Sequence, residues 1–115
     1  MEIKIIKDSI SKKELTDIAK ERFGDLVKAV VDIGQEIMAL GGEMHADEEA
    51  ILMEKEGSKR EDTWGINIYP EKDRTEWIEF DSVINLKPSF NNRSRNVEDS
   101  EIQKKIKEIV SKLIK

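Results

Sequence analysis

The sequence contains no cysteine and only one histidine, His45. The absence of cysteine excludes disulfide bonds, thiolate zinc sites and a cysteine nucleophile. Any metal site would therefore have to combine His45 with carboxylates. Any nucleophile would have to be a serine, a threonine, a lysine or a carboxylate.

Long apolar runs are also missing from the chain. The longest, at residues 27–33, is interrupted by Lys28 and Asp32, and is too short to cross a membrane. The first ten residues, MEIKIIKDSI, lack the apolar stretch and the small-residue cleavage site of a signal peptide. We therefore expect a soluble, cytoplasmic protein with no membrane partner.

What the chain has in abundance is charge. Its 115 residues, 39% of them charged with a net charge of -5, predict one domain spanning residues 1–115. The acidic balance argues against generic DNA binding, which draws on a field of clustered lysine and arginine. The enrichment in lysine, glutamate and isoleucine matches heat-adapted proteins, so thermophily is a hypothesis that a melting temperature would test.

The sequence signals for helices are clear near both ends of the chain. Ser11 and Glu14 form a capping box, and Gly24 is suited to a left-handed C-terminal cap, which predicts a helix from about Lys12 to Phe23. An apolar stripe at helical spacing predicts a second, amphipathic helix after Asp99.

Between these helices the pattern is mostly that of strands. Residues 26–40 predict a β-hairpin, and residues 64–70 and 77–88 alternate apolar with polar side chains. Residues 47–55 fit either a short helix capped by Asp47 or a strand, and we favour the strand. The predicted fold is α+β, with a mostly antiparallel sheet of about four to six strands and both helices packed on one face.

The first candidate site surrounds the single histidine. Glu43, His45 and Asp47 lie on one face of a strand, and a helix would instead pair His45 with Glu49. Either arrangement suits a divalent metal ion or a general acid or base. The alternative is an exposed acidic edge with an incidental histidine.

The second candidate site is the polar side of the predicted sheet. Asn67, Glu79, Asp81 and Asn85 lie on candidate neighbouring strands, and Asp32 is a possible addition. This surface suits a ligand floor, with Asn67 and Asn85 as ligand-binding residues and Asp81 as a catalytic candidate beside His45. The same pattern is also that of an ordinary solvent-facing sheet.

The third candidate site is the loop PSFNNRSRNVED at residues 88–99. Its forked cations and its amides suit a phosphate or a carboxylate, just ahead of a helix N-terminus. The candidate ligand-binding residues here are Asn91, Asn92, Arg93, Ser94 and Arg95. In the alternative interpretation, Glu98, Asp99 and Glu101 neutralise the two arginines and the loop is only a connector.

These sites lead to three functional hypotheses. The leading one is a binding domain for a small anionic ligand, either a nucleotide or an RNA phosphate, that uses Arg93, Arg95 and nearby amides. The second is a general-base or metal-assisted hydrolase with a divalent ion as its cofactor. The third is a regulatory protein that contacts a partner or forms a homo-oligomer along a sheet edge.

Five segments together resemble a family of small prokaryotic proteins carried under a domain-of-unknown-function label. They include IMALGGEMHADEEAIL, EDTWGINIYP, EWIEFDSVINLKPS and NRSRNVED, with FGDLVKAVVDI before them. The resemblance spans nearly the whole chain and implies a single-domain, cytosolic protein. It carries over no activity and no catalytic residue.

Overall fold

The computed structural model describes residues 2–115 as a five-stranded sheet with three α-helices. The sheet has the order β1-β3-β2-β4-β5, and every pairing is antiparallel. The predicted α+β class is confirmed. In chain order the elements are β1 Lys4–Ile6, α1 Lys12–Arg22, β2 Val27–Asp32, β3 Ile37–Leu40, α2 His45–Glu56, β4 Thr63–Ile68, β5 Ile78–Glu79 and α3 Ser100–Leu113.

Helix α1 begins and ends where its capping residues predict. The Ser11 side chain accepts a hydrogen bond from the Glu14 backbone N–H at 3.0 Å, and Gly24 takes the left-handed φ of 91°. The Glu14 carboxylate accepts a hydrogen bond from the Lys4 side chain at 2.7 Å. In a complete capping box this carboxylate would accept from the Ser11 backbone N–H, so a residue of β1 supplies the donor instead. In α3, Asp99 is the N-cap and accepts from the Glu101 N–H at 2.8 Å.

The predicted β2–β3 hairpin is present, and Asp32 organises its turn. This buried carboxylate accepts hydrogen bonds from the backbone N–H groups of Gly34 and Gln35, at 2.9 and 3.1 Å. Its second oxygen accepts from the Ser58 hydroxyl at 2.6 Å and the Gln35 amide at 2.9 Å. Asp32 therefore holds the hairpin and does not join the polar surface around Asn67.

The prediction of a strand at residues 47–55 was wrong, because these residues form most of helix α2. The buried positions of α2 are His45, Glu48 and Leu52, a helical stripe in which two of the three residues are polar. A hydrophobic pattern cannot reveal such a stripe. The helix ends at Gly57, whose φ of 66° is left-handed and ordinary for a C-terminal cap.

The long strand predicted at residues 77–88 was also largely wrong. Only Ile78–Glu79 pairs as a strand, and the chain then folds into short 3₁₀ turns at Val83–Asn85 and Pro88–Phe90. Ser82 starts the first turn and packs over Gly65, where an added Cβ would lie 2.5 Å from the Ser82 side chain. Glycine at position 65 thus lets this segment cross the sheet surface.

The sheet is covered on both faces. The larger core lies between the sheet and helices α1 and α3, as predicted, and includes Leu15, Trp64, Ile66 and Ile106. On the opposite face, α2 and the segment after β5 cover a smaller apolar cluster of Val30, Ile37, Ala39, Leu52 and Ile84. Within residues 2–115, no helix is both long enough and apolar enough to span a membrane.

Candidate functional site

A cavity of about 260 Å³ opens on the α2 face of the sheet, beside the smaller apolar cluster. We call it the His45 cavity. Strands β2 and β4 contribute Lys28 and Asn67, the start of α2 contributes Met44 to Ala46, and the chain after β5 contributes residues 81–84 and Arg95. Four residues singled out in the sequence therefore converge there: His45, Asn67, Asp81 and Arg95.

His45 is the first residue of α2 and is only 8% exposed. Its Nε2 lies 2.8 Å from the Ile66 carbonyl oxygen. Because a carbonyl oxygen only accepts, Nε2 carries the hydrogen, and in the neutral ring Nδ1 keeps a lone pair. Burial is the main cause that lowers the pKa of His45 below its ordinary value of 6.5, and the nearby Lys28 charge lowers it further. Burial therefore favours the neutral ring over the charged one.

Lys28 and Asn67 form a cross-strand pair on the cavity side of the sheet. Lys28 lies near an aromatic ring, with its Nζ 5.2 Å from the centroid of Phe23, and makes no ion pair with another residue of the described chain. Asn67 is 8% exposed and donates from Nδ2 to the Glu79 carboxylate at 2.8 Å. This bond fixes the orientation of the Asn67 amide.

Asp81 and Arg95 form an ion pair at the cavity wall. Arg95 Nε donates to Asp81 Oδ1 at 2.7 Å, and both side chains are about half exposed, at 56% and 45%. One edge of the guanidinium is therefore engaged, while the exposed remainder can reach a guest. With Lys28 and Arg95 positive, Asp81 negative and His45 neutral, the charged groups lining the cavity sum to one positive charge.

Apolar side chains and a helix end complete the cavity. Met44 and Val83 line it and are 58% and 62% exposed, which gives it an apolar rim. No side chain caps the N-terminus of α2, which begins at this same wall. Uncapped N–H groups at a helix start favour anions.

A family described as "Protein of unknown function (DUF5674)" matches this chain. The match covers residues 4–113. The chain belongs to this family. Searches of curated proteins and of solved structures found no match. The functional interpretation of this DUF5674 protein therefore depends on its own geometry.

Some of the predicted ligand residues in the loop at residues 88–99 hold the loop together, and others are exposed at the surface. Asn92 is 3% exposed, and its Nδ2 donates to the carbonyl oxygens of Asn85, Ser94 and Asn96 at 2.7, 3.1 and 2.7 Å. Its Oδ1 accepts from the Glu98 N–H at 2.9 Å. The whole Asn92 amide is thus used to hold the loop.

Asn85 is likewise engaged within the DUF5674 fold. Its amide exchanges two hydrogen bonds with the Gly65 backbone, at 2.8 and 2.9 Å, in the manner of a neighbouring strand. It also donates to the Arg95 carbonyl oxygen at 3.0 Å. Asn85 therefore anchors the backbone from which the Arg95 side chain reaches the cavity.

The remaining loop residues lie outside the cavity. Asn91 is exposed, with a left-handed φ of 63°, and Arg93 is exposed as well. The Glu98 carboxylate accepts from the Arg93 backbone N–H at 2.9 Å and from the Ser94 hydroxyl at 2.7 Å. Within residues 2–115, neither Arg93 nor Arg95 forms a side-chain ion pair with Glu98, Asp99 or Glu101, and Arg95 pairs with Asp81 instead.

The predicted metal set does not assemble. Glu43 pairs with Arg22 at 3.0 Å, while His45 is bonded to β4. Among the described residues, no three side chains of the metal-ligating types lie close enough together to hold an ion. His45 and Asp81 do share one cavity, and their catalytic role stays a prediction.

Two important residues were missed from the sequence. Lys28 was noted only as an interruption of an apolar run, yet a charge inside an apolar strand is itself a signal. Glu48 was not noted at all, although it is completely buried and accepts from the Gly42 N–H at 2.9 Å. Burial raises the pKa of Glu48 well above its ordinary value.

Proposed function

We propose that this protein binds a small anionic ligand in the His45 cavity, with Lys28 and Arg95 as the cationic contacts. The observation that carries the proposal is the convergence of residues from four separate parts of the chain on one concave site with a net positive lining. This local charge stands out because the whole chain carries a net charge of -5.

The cavity volume restricts the ligand. At about 260 Å³ it lies just below the common range for ligand pockets, so it fits a small carboxylate, a phosphate ester or the phosphate end of a nucleotide. The cavity walls favour one compact guest over an extended RNA chain, since Arg93 lies away from the cavity and Asn92 is fully engaged in the loop. We therefore favour a small molecule over RNA.

Substitutions of three charged residues test the proposal. The probes are inorganic phosphate, adenosine monophosphate and succinate, titrated into labelled protein and followed by NMR shifts. Arg95→Ala removes a charge-assisted contact and is expected to weaken binding about 10- to 100-fold. Asp81→Asn frees the Arg95 guanidinium and is expected to strengthen binding.

Arg93→Ala is the matched control. It removes the same charge from the same loop, but Arg93 does not line the cavity, so binding should stay within about twofold of the parent. Equal weakening by Arg93→Ala and Arg95→Ala would show that only general charge matters. Failure of every probe to bind the parent protein would overturn the proposal.

A further inference from the structure

The His45 cavity contains two hydrogen-bond acceptors that the protein leaves without donors. The first is Nδ1 of His45. The bond from Nε2 to the Ile66 carbonyl, at 2.8 Å, assigns the ring hydrogen to Nε2. Nδ1 is then an acceptor; it does not belong to the buried atoms that lack a partner, so it is open to solvent or to a guest.

The second acceptor is Oδ1 of Asn67. The Glu79 carboxylate can only accept, so the 2.8 Å bond to it identifies the Asn67 NH₂ group and places Oδ1 on the other side of the amide. Oδ1 is buried, and no described residue donates to it. Buried acceptors are almost always satisfied in folded proteins, so this one calls for an explanation.

Both acceptors belong to residues that line the same positively charged cavity. Lys28, Arg95 and the uncapped helix start present donors, which suit an anion, whereas Nδ1 and Oδ1 can only accept. A guest that satisfies the whole cavity must therefore bring a donor as well as a negative charge.

We infer that the ligand carries a hydroxyl or N–H group beside its anionic group, and that His45 Nδ1 and Asn67 Oδ1 accept hydrogen bonds from it. This inference rests on the proposed function. The small cavity volume puts the two groups close together in the ligand. Hydroxy acids and phosphate esters with a neighbouring hydroxyl have this chemistry.

Matched probe pairs test the inference, because each pair differs only in the hydroxyl group. The pairs are lactate with propionate and 2-hydroxyethyl phosphate with ethyl phosphate. NMR titration of the parent protein is expected to show about fivefold tighter binding of the hydroxylated member.

His45→Gln distinguishes the role of Nδ1 as an acceptor from the role of His45 in the fold. The glutamine Nε2 can keep the donor to the Ile66 carbonyl, while the Nδ1 acceptor is lost. We expect the preference for the hydroxylated member of each pair to fall from about fivefold to about one. A preserved backbone amide spectrum would show that the variant is folded.

A measurement on the parent protein does not depend on the variant. The ¹⁵N resonance of His45 Nδ1 should shift on addition of lactate and much less on addition of propionate. If both members of each pair bind equally and leave Nδ1 unmoved, this inference is wrong while the proposed function stands. If neither member of any pair binds, this inference is wrong, and the titrations with phosphate, adenosine monophosphate and succinate decide the proposed function separately.

Discussion

At the scale of single residues, this protein places polar groups inside and gives nearly all of them partners. Asn92 and Asn85 illustrate the rule, since every polar atom of their amides is bonded to backbone groups. Three buried atoms are exceptions, because Asn67 Oδ1, Glu48 Oε1 and Trp64 Nε1 have no partner among the described residues. Residue type alone could not distinguish an amide that holds the loop, such as Asn92, from a side chain that lines the cavity, such as Arg95.

Lys87 is the buried residue with the clearest consequence for pH. It is 3% exposed, donates to the carbonyl oxygens of Arg60 and Thr63, and lies 3.9 Å from the centroid of the Trp64 ring. Burial, with help from the Arg60 charge, lowers the pKa of Lys87 from 10.5 to about 8. The folded protein therefore releases this proton at a lower pH than the unfolded chain does.

This shift predicts that stability rises with pH above about 8. Between the folded pKa of about 8 and the unfolded value of 10.5, the unfolded chain binds the extra proton, so the free energy of unfolding increases with pH. The full increase is on the order of 3 kcal/mol. Lys87→Met should lack it, as measured by urea unfolding across this range. Identical pH profiles for the two proteins would contradict the prediction.

At the scale of elements, local signals in the sequence decided which helices could be predicted. Helix α1 has a side-chain cap and a glycine stop, and α3 has an apolar stripe and an aspartate cap, so both were predicted. Helix α2 has neither a side-chain cap nor an apolar stripe. The cap predicted at Asp47 was wrong, because the helix begins at His45 with Met44 as its N-cap. The short apolar run at residues 51–53 outweighed the glycine stop and the helix-forming residues.

The β2–β3 hairpin depends on one side chain. Asp32→Ala would leave the turn N–H groups and the Ser58 hydroxyl without their acceptor, and we expect a loss of about 3–5 kcal/mol in the free energy of unfolding. Ser58→Ala removes only one of these donors and should cost about 1 kcal/mol. Urea denaturation measures both. A loss below about 1 kcal/mol for Asp32→Ala would show that the turn forms without it.

At the scale of the whole molecule, the end of α3 is tied to the beginning of α1. The Ile10 N–H donates to the Leu113 carbonyl at 2.8 Å, and the Lys115 N–H donates to the Ile10 carbonyl at 2.9 Å. Ile114 lies between these bonds and is 2% exposed. These contacts join residues from near the two ends of the chain and close the larger core.

Truncating Ile114 should weaken this closure. Ile114→Ala removes buried methyl groups and leaves a cavity, which we expect to cost about 3 kcal/mol of unfolding free energy. Ile114→Val is the graded control and should cost about 1 kcal/mol. Thermal and urea unfolding measure both variants. Equal stability of the alanine variant and the parent would mean that this junction is dispensable.

Two predictions for the whole molecule stay predictions. Heat adaptation was inferred from charge, but ion pairs such as Lys4–Glu14 and Lys112–Glu36 join half-exposed side chains, and exposed pairs contribute little at ordinary temperature. Self-association along a sheet edge would have to use β1 or β5, which are three and two residues long. Such short edges disfavour strand pairing between copies.

The sequence by itself determined the α+β class, the helices α1 and α3 and the β2–β3 hairpin, because caps, turns and periodicity are local properties. Only the tertiary structure decided that α2 covers the second face of the sheet and that Lys28, His45, Asn67, Asp81 and Arg95 meet there. Their meeting depends on strand register and on the close approach of Ser82 to Gly65. These are contacts between distant parts of the chain, and no local pattern encodes them.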